Sequence, residues 1–154
     1  MEDILTITNN TKGKLPSLPF LAIKDDILGK KYSLSIAFIG EKKSKEINNK
    51  YRNKNRATNI LSFCLEKNKG EILLCPNVVK RESKNPEKNF DKNYPELLGF
   101  LVIHGMLHLK GMQHSSTMEE AEEKYDKKYF GGNRHRFYDD TSHSRRIFQR
   151  RIRS

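Results

Sequence analysis

The chain has 154 residues, of which 35% are hydrophobic and 32% charged, and this composition suits a single folded domain better than a disordered chain. The formal net charge of +11 favours an anionic partner, nucleic acid before a membrane surface, although a lysine-rich solvated surface would give the same excess. No segment approaches the roughly 20 apolar residues that span a bilayer. The first ten residues lack the basic region of a signal peptide, and two cysteines do not make a disulfide framework, so we expect a cytoplasmic protein.

Apolar residues at alternating and helical spacings predict four strands and four helices before residue 132. In chain order they are strand 4–8, helix 18–28, strand 32–39, helix 41–51, strands 59–65 and 71–75, helix 95–109 and helix 117–129. Residues 80–93 are predicted to be a polar connection, with a helical beginning left open. This interleaving of strands and helices predicts an α+β fold in which helices cover a small mixed sheet.

The segment Asn68-Lys69-Gly70 is a turn signal and predicts a hairpin between the third and fourth strands. A two-residue loop at Lys69-Gly70 would place Cys64 directly opposite Cys75. Both would then be free thiols that pack as small apolar groups.

The composition changes after Gly132. Residues 133–154 contain seven arginines, no lysine and two acids, a net charge of +5. The chain is therefore predicted to consist of a domain at residues 1–132 and an arginine-rich tail at 133–154 that adds salt-sensitive affinity for nucleic acid. The alternative is a helix that packs on the domain through Ile147, Phe148 and Ile152.

Three histidines form the most specific pattern in the chain. His104 and His108 are four residues apart on a predicted helix, so their side chains project from the same face. Gly111 is well placed to end that helix, and His114 can then supply a third nitrogen. The alternative is a set of ordinary surface or core histidines, but three of the five histidines in the chain fall within these eleven residues. The spacing therefore favours a metal site.

Three histidine ligands leave a fourth position for water, which is the arrangement of a catalytic zinc site. Zinc would lower the pKa of this zinc-bound water towards ~7 and so provide hydroxide at neutral pH. We therefore predict one Zn²⁺ per chain, although nickel or another first-row metal could replace it.

The spacing H-x-x-x-H-x-x-G-x-x-H also occurs in one class of zinc proteases. In those enzymes a glutamate after the first histidine acts as the general base. Gly105 occupies that position here and has no side chain to carry a proton, which disfavours a protease.

The segment from His104 to His114 reads H-G-M-L-H-L-K-G-M-Q-H. It resembles the signature H-G-x-L-H-L-x-G-x-D-H of the YbeY family of bacterial endoribonucleases, with Gln113 where aspartate is usual. A second block, residues 48–63, resembles the family pattern N-x-x-Y-R-x-K-x-x-x-T-[DN]-V-L-S-F-P, whose final proline is replaced by Cys64. A third block is Gly70-Glu71 before an apolar strand. The resemblance covers residues 34–130.

The resemblance implies a four-stranded mixed sheet with the metal-binding helix beside it, and a zinc-dependent endoribonuclease that cleaves single-stranded RNA. It also implies a role in ribosomal RNA maturation on the small ribosomal subunit. Arg52 matches the family arginine near the metal, where a guanidinium could bind the scissile phosphate. Gln113 could accept a hydrogen bond from a ligand imidazole without the charge of aspartate, or face solvent.

Two alternatives stay open on this basis. The chain could be a metal-stabilised RNA- or ribosome-binding assembly factor with little cleavage activity. For an enzyme, either water or the 2′-hydroxyl of the RNA could be the nucleophile.

Overall fold

The structure is a computed structural model that describes residues 4–131, so the predicted tail at 133–154 and its boundary lie outside the described residues. Within that range the chain forms four strands and five helices. They are β1 (Leu5–Asn9), α1 (Phe20–Ile27), β2 (Ser33–Phe38), α2 (Glu41–Arg52), β3 (Ile60–Glu66), β4 (Lys69–Leu74), α3 (Pro76–Ser83), α4 (Tyr94–Leu109) and α5 (Ser116–Phe130). None of these helices is long and apolar enough to cross a bilayer.

The four strands form one mixed sheet in the order β1-β2-β4-β3. β2 pairs in parallel with both β1 and β4, whereas β3 and β4 form an antiparallel hairpin. The final residues of the three parallel strands lie side by side, since Asn9 pairs with Phe38 and Phe38 pairs with Leu74. The predicted α+β fold with a small mixed sheet is therefore confirmed, and β1, β2 and β4 all end at the same edge.

The sheet buries side chains on both faces. In β2, Leu34 and Ile36 belong to the larger apolar cluster, whereas Ala37 belongs to a smaller one. Because successive strand residues point to opposite faces, the two clusters lie on opposite sides of the sheet. Ile23 of α1 joins the larger cluster together with α4, and Ile47 of α2 joins the smaller. Helices α1 and α2 therefore cover opposite faces.

Helix α4 lies in the middle of the larger layer and is buried on all sides. Every residue from Leu97 to Leu107 is buried, which explains its apolar sequence. The helix begins with a capping box, in which the Asn93 side chain accepts from the backbone N–H of Glu96 and the Glu96 carboxylate accepts from the backbone N–H of Asn93. Pro95 fits in its first turn, where no hydrogen-bonded N–H is needed.

Helix α3 begins four residues before the predicted polar connection at 80–93. Pro76 opens it, and Val78 and Val79 are buried against the neighbouring layer. A two-residue apolar pair is too short to reveal helical periodicity in the sequence. Only the remainder of the segment, from residue 84 onwards, is the predicted connection.

The predicted register of the hairpin is wrong. Cys64 lies opposite Gly70, the turn is at Lys67-Asn68, and a bulge follows Cys64. Both thiols are free, but Cys64 is exposed and only Cys75 is buried. The predicted register assumed that Gly70 is part of the turn, but Gly70 lies in β4. A side chain at this position would collide with the Tyr32 hydroxyl and Leu109. The glycine therefore permits close packing with another part of the chain and does not form the turn.

Candidate metal centre

The three predicted histidines converge at the C-terminal end of α4. His104, His108 and His114 each offer a ring nitrogen, and these atoms all lie within 4.8 Å of one another. The Nε2 atoms of His104 and His108 are 2.9 Å apart. The His114 ring lies 5.3 Å from that of His104 and 4.5 Å from that of His108, measured between ring centroids. This group could hold a metal ion.

A tight turn after α4 brings His114 back to the helix. Gly111 has a φ of 104°, a left-handed conformation that glycine adopts without strain. The backbone N–H of Met112 donates to the carbonyl of Leu107 at 3.0 Å, which closes the turn. Ser115 then caps α5 by accepting from the backbone N–H of Met118 at 3.2 Å. His114 is therefore held between two fixed helix ends.

A second set of contacts orients two of the imidazole rings. Nδ1 of His104 forms a hydrogen bond with the carboxylate of Glu122, and Nδ1 of His108 donates to the backbone carbonyl of Met112 at 3.1 Å. Both acceptors require a proton on Nδ1, so the neutral form of each ring presents its lone pair at Nε2. Carboxylate and carbonyl acceptors behind histidine ligands are the usual arrangement in metal sites.

The facing Nε2 atoms of His104 and His108 are suited to a shared cation. Two Nε2 lone pairs that face each other at 2.9 Å cannot bond to each other without a proton or a cation between them. A cation bound by both would use these lone pairs, and three neutral imidazoles are ligands that zinc, copper, iron and nickel accept. The side chains present therefore fit a first-row transition metal.

The electrostatics of His108 also suit a ligand. Burial, together with the nearby imidazoles of His104 and His114, lowers the pKa of His108 from 6.5 to about 4. The ring is consequently neutral at pH 7, and its lone pair is not occupied by a proton.

Residues 12–129 match the family model described as Endoribonuclease YbeY. The chain belongs to the YbeY family of endoribonucleases. The family predicted from the histidine motif is confirmed, and the match runs from before α1 to one residue short of the end of α5.

Several YbeY proteins and one solved structure are similar to this chain. A protein named Endoribonuclease YbeY from Lactobacillus helveticus is 33% identical over 134 residues, which cover 75% of this chain and 74% of that protein. Another of that name from Bdellovibrio bacteriovorus is 38% identical over 94 residues, 60% of each chain. The solution structure of TM1509 from Thermotoga maritima has a TM-score of 0.58 and 28% identity, and the match covers 82% of this chain and 89% of that one.

The departure from the YbeY signature at Gln113 does not leave the centre without a carboxylate. Gln113 is exposed, whereas Glu122 of α5 is 2% exposed and contacts His104 directly. Sequence reasoning missed Glu122. The available signal was its helical spacing from Met118 and Tyr125, which places an acid on the buried face of α5.

Arg52, the residue that matches the YbeY arginine, lies on a different element from the triad. It is the half-buried last residue of α2, which ends because Asn53 adopts a left-handed φ of 58°. The following loop is fixed to α2, since Asn48 donates to the carbonyl of Arg56 at 2.8 Å and Ser44 to that of Thr58 at 2.9 Å. The loop leads into β3, which packs on α4. The approach of Arg52 to a phosphate at the triad stays a prediction.

Proposed function

We propose that this chain is a metal-dependent endoribonuclease that cleaves single-stranded RNA during ribosomal RNA maturation. The observation that carries the proposal is the convergence of His104, His108 and His114, in which the Nε2 atoms of His104 and His108 face each other, in a chain of an endoribonuclease family. We further propose zinc as the metal, because three neutral imidazoles with an open fourth position are typical of catalytic zinc. When bound, zinc would act as a Lewis acid that activates the attacking oxygen and polarises the phosphodiester.

Each protein group has a separate task in this proposal. Glu122 and the Met112 carbonyl hold the Nδ1 protons of His104 and His108, so both rings keep their ligand tautomer. Arg52 binds two non-bridging oxygens of the scissile phosphate through its planar fork and offsets the charge that develops on them. Either water or the 2′-hydroxyl can serve as the nucleophile in this arrangement.

The small ribosomal subunit is the proposed place of action, and the net charge of +11 supports an RNA partner. Cleavage in the cytoplasm remains an expectation from the sequence. The alternative of an assembly factor with little cleavage activity is not favoured by the family to which the chain belongs.

The test is a cleavage assay with the full-length chain, zinc content measured for every preparation, and a single-stranded RNA beside a duplex of the same sequence. His114→Ala should lose both metal and cleavage. Arg52→Lys should keep zinc and RNA binding but cleave ~10²–10³-fold more slowly, because lysine keeps the charge without the fork.

Arg56→Lys is the matched control, since Arg56 is an exposed arginine in the loop that follows Arg52. It should cleave at the wild-type rate. If wild type, His114→Ala and Arg52→Lys all cleave at one rate, the activity belongs to a contaminant and the assembly-factor alternative becomes the better explanation. If only Arg52→Lys equals wild type, the metal centre stands and the role of Arg52 is wrong.

A further inference from the structure

A cavity lies at the sheet edge where β1, β2 and β4 end. Its volume is about 320 Å³, and it is lined by the loop after β1, the residues after β2 and the start of α3. From β1 the chain passes to α1 on one face of the sheet, and from β2 it passes to α2 on the other face. A crevice where successive connections leave on opposite faces, outside the carboxyl ends of parallel strands, is the usual ligand position in open α/β sheets.

The charged lining of this cavity has a single sign. Lys12, Lys14 and Lys80 line it, and no carboxylate does. Within residues 4–131 none of the three lysines forms a salt bridge. Glu41 begins α2 beside the cavity, but its carboxylate is already engaged by Arg81 at 2.6 Å. We call this site, defined by the three lysines, the lysine cavity.

Tyr94 and the starts of two helices complete the lining. The hydroxyl of Tyr94 is buried and has no hydrogen-bond partner in the described part of the chain, although a buried hydroxyl normally has one. Burial raises the pKa of Tyr94, so this hydroxyl keeps its proton at neutral pH. Helices α2 and α3 also start here, and neither Gly40 nor Cys75 caps its helix with a side-chain hydrogen bond. Their first backbone N–H groups add partial positive charge.

The loop that carries two of the lysines is preorganised. The Asn9 side chain accepts from the backbone N–H of Thr11 at 2.9 Å and donates to the carbonyl of Gly13 at 3.0 Å. These bonds hold the loop in a turn, so Lys12 and Lys14 start from fixed backbone positions. An anion would therefore meet a site whose backbone is already ordered.

We propose that the lysine cavity binds a phosphate group, and that in an RNA substrate it holds a backbone phosphate remote from the metal centre. The second part rests on the proposed function. Tyr94 and His104 are ten residues apart in α4, which corresponds to roughly 15 Å along the helix at 1.5 Å per residue. The bound phosphate is consequently a different one from the scissile phosphate, and the cavity positions the strand along the protein.

The first experiment measures phosphate binding without any cleavage. Inorganic phosphate and uridine 5′-monophosphate are titrated separately into the full-length protein, and backbone amide shifts are followed by NMR. Shifts should concentrate in residues 10–15 and 76–80. The triple variant Lys12→Gln/Lys14→Gln/Lys80→Gln should lose them. Tyr94→Phe should weaken binding several-fold without loss of stability, because it removes a hydroxyl that has no partner.

The matched control is Lys30→Gln/Lys31→Gln/Lys67→Gln, which removes three exposed lysines at the opposite edge of the sheet. It should bind phosphate like wild type. Equal loss in both triple variants would overturn the site, because general charge would then explain the effect. Binding by Tyr94→Phe equal to wild type would overturn the part that the hydroxyl plays.

The second experiment uses a single-stranded RNA with 2′-O-methyl groups and measures its affinity over a salt series. One lost phosphate contact should reduce the slope of log K against log salt by about 0.7, which amounts to about five-fold per decade of salt. The lysine-cavity variant should show this change relative to the control triple. Phosphate binding without a slope difference would overturn the RNA part and assign the site to free nucleotides or phosphate. Neither measurement uses catalysis, so an inactive enzyme with intact phosphate binding would refute only the proposed function.

Discussion

Glu122→Gln removes the negative charge beside His104 while it keeps a side chain of almost the same size and a hydrogen-bond acceptor. Glu122 is 2% exposed and its carboxylate holds the Nδ1 proton of His104. The glutamine oxygen can accept the same hydrogen bond, so the tautomer is kept while the negative charge that raises the basicity of the imidazole is lost. Loss of such a partner typically weakens metal binding 10–100-fold, about 1.4–2.7 kcal/mol.

The assay is a zinc competition titration against a chromophoric chelator, with thermal unfolding measured in the presence and absence of zinc. Because a ligand stabilises the folded state according to its affinity, the zinc-dependent gain in stability should fall by the same amount at saturating zinc. The metal-free variant should be about as stable as the wild type, since the substitution removes a buried charge. Glu120→Gln, at an exposed position of the same helix, is the control. Equal zinc affinity for Glu122→Gln and the control would refute the argument that the carboxylate tunes the ligand.

Three further predictions concern stability and are checked by urea unfolding. Lys24→Met should lower the free energy of unfolding by about 3 kcal/mol. The buried ammonium of Lys24 donates to three backbone carbonyls after α1 at 3.0–3.3 Å, and these carbonyls would lose their donor. A decrease under 1 kcal/mol would contradict this. Lys92→Met should lower the free energy of unfolding by about 3–5 kcal/mol, because the buried Asp126 carboxylate, 2.9 Å from the Lys92 ammonium in the wild type, would lose that cation. Adding the substitution Asp126→Asn should recover part of this loss. The hydrogen bond from Lys128 lowers the pKa of Asp26 below 3.8. The ionised Asp26 carboxylate therefore stabilises the folded state above pH 3.8, and this contribution is lost as the pH falls through the lowered pKa. Asp26→Asn should consequently have a lower free energy of unfolding than wild type at pH 7 and an equal one in strong acid.

Eight of the nine described elements, and the grouping of the three histidines, were predictable because they depend on local spacing. The alternation in β2 and the four-residue interval between His104 and His108 are properties of a single segment. The structure shows the alternating burial of β2 and brings the two rings together, whereas their role as metal ligands stays a prediction. The register of the β3–β4 hairpin was not predictable in this way. It depends on Gly70, whose lack of a side chain accommodates Tyr32 and Leu109 from distant parts of the chain.

Glu122 and the lysine cavity show the same limit at the functional sites. Glu122 reaches His104 only because α5 packs on α4. The sequence of α5 contains no motif that predicts this contact. The lysine cavity unites Lys12 and Lys80, which are far apart in sequence and come together through the parallel order of β1, β2 and β4. Lysines in such a chain look like solvated surface until the fold brings them together.

Gly105 joins the packing of the fold to the chemistry of the centre. An ideal Cβ at this position would lie 3.0 Å from Ile60 Cδ1 and 3.0 Å from Ser62 Oγ, so the glycine faces the sheet and lets α4 approach it closely. A glutamate at this position would therefore be pressed against side chains of β3, a contact that glycine avoids. Gly105, which stands where zinc proteases with the same histidine spacing carry their glutamate, is therefore also the residue that lets the histidine-bearing helix pack closely on the sheet.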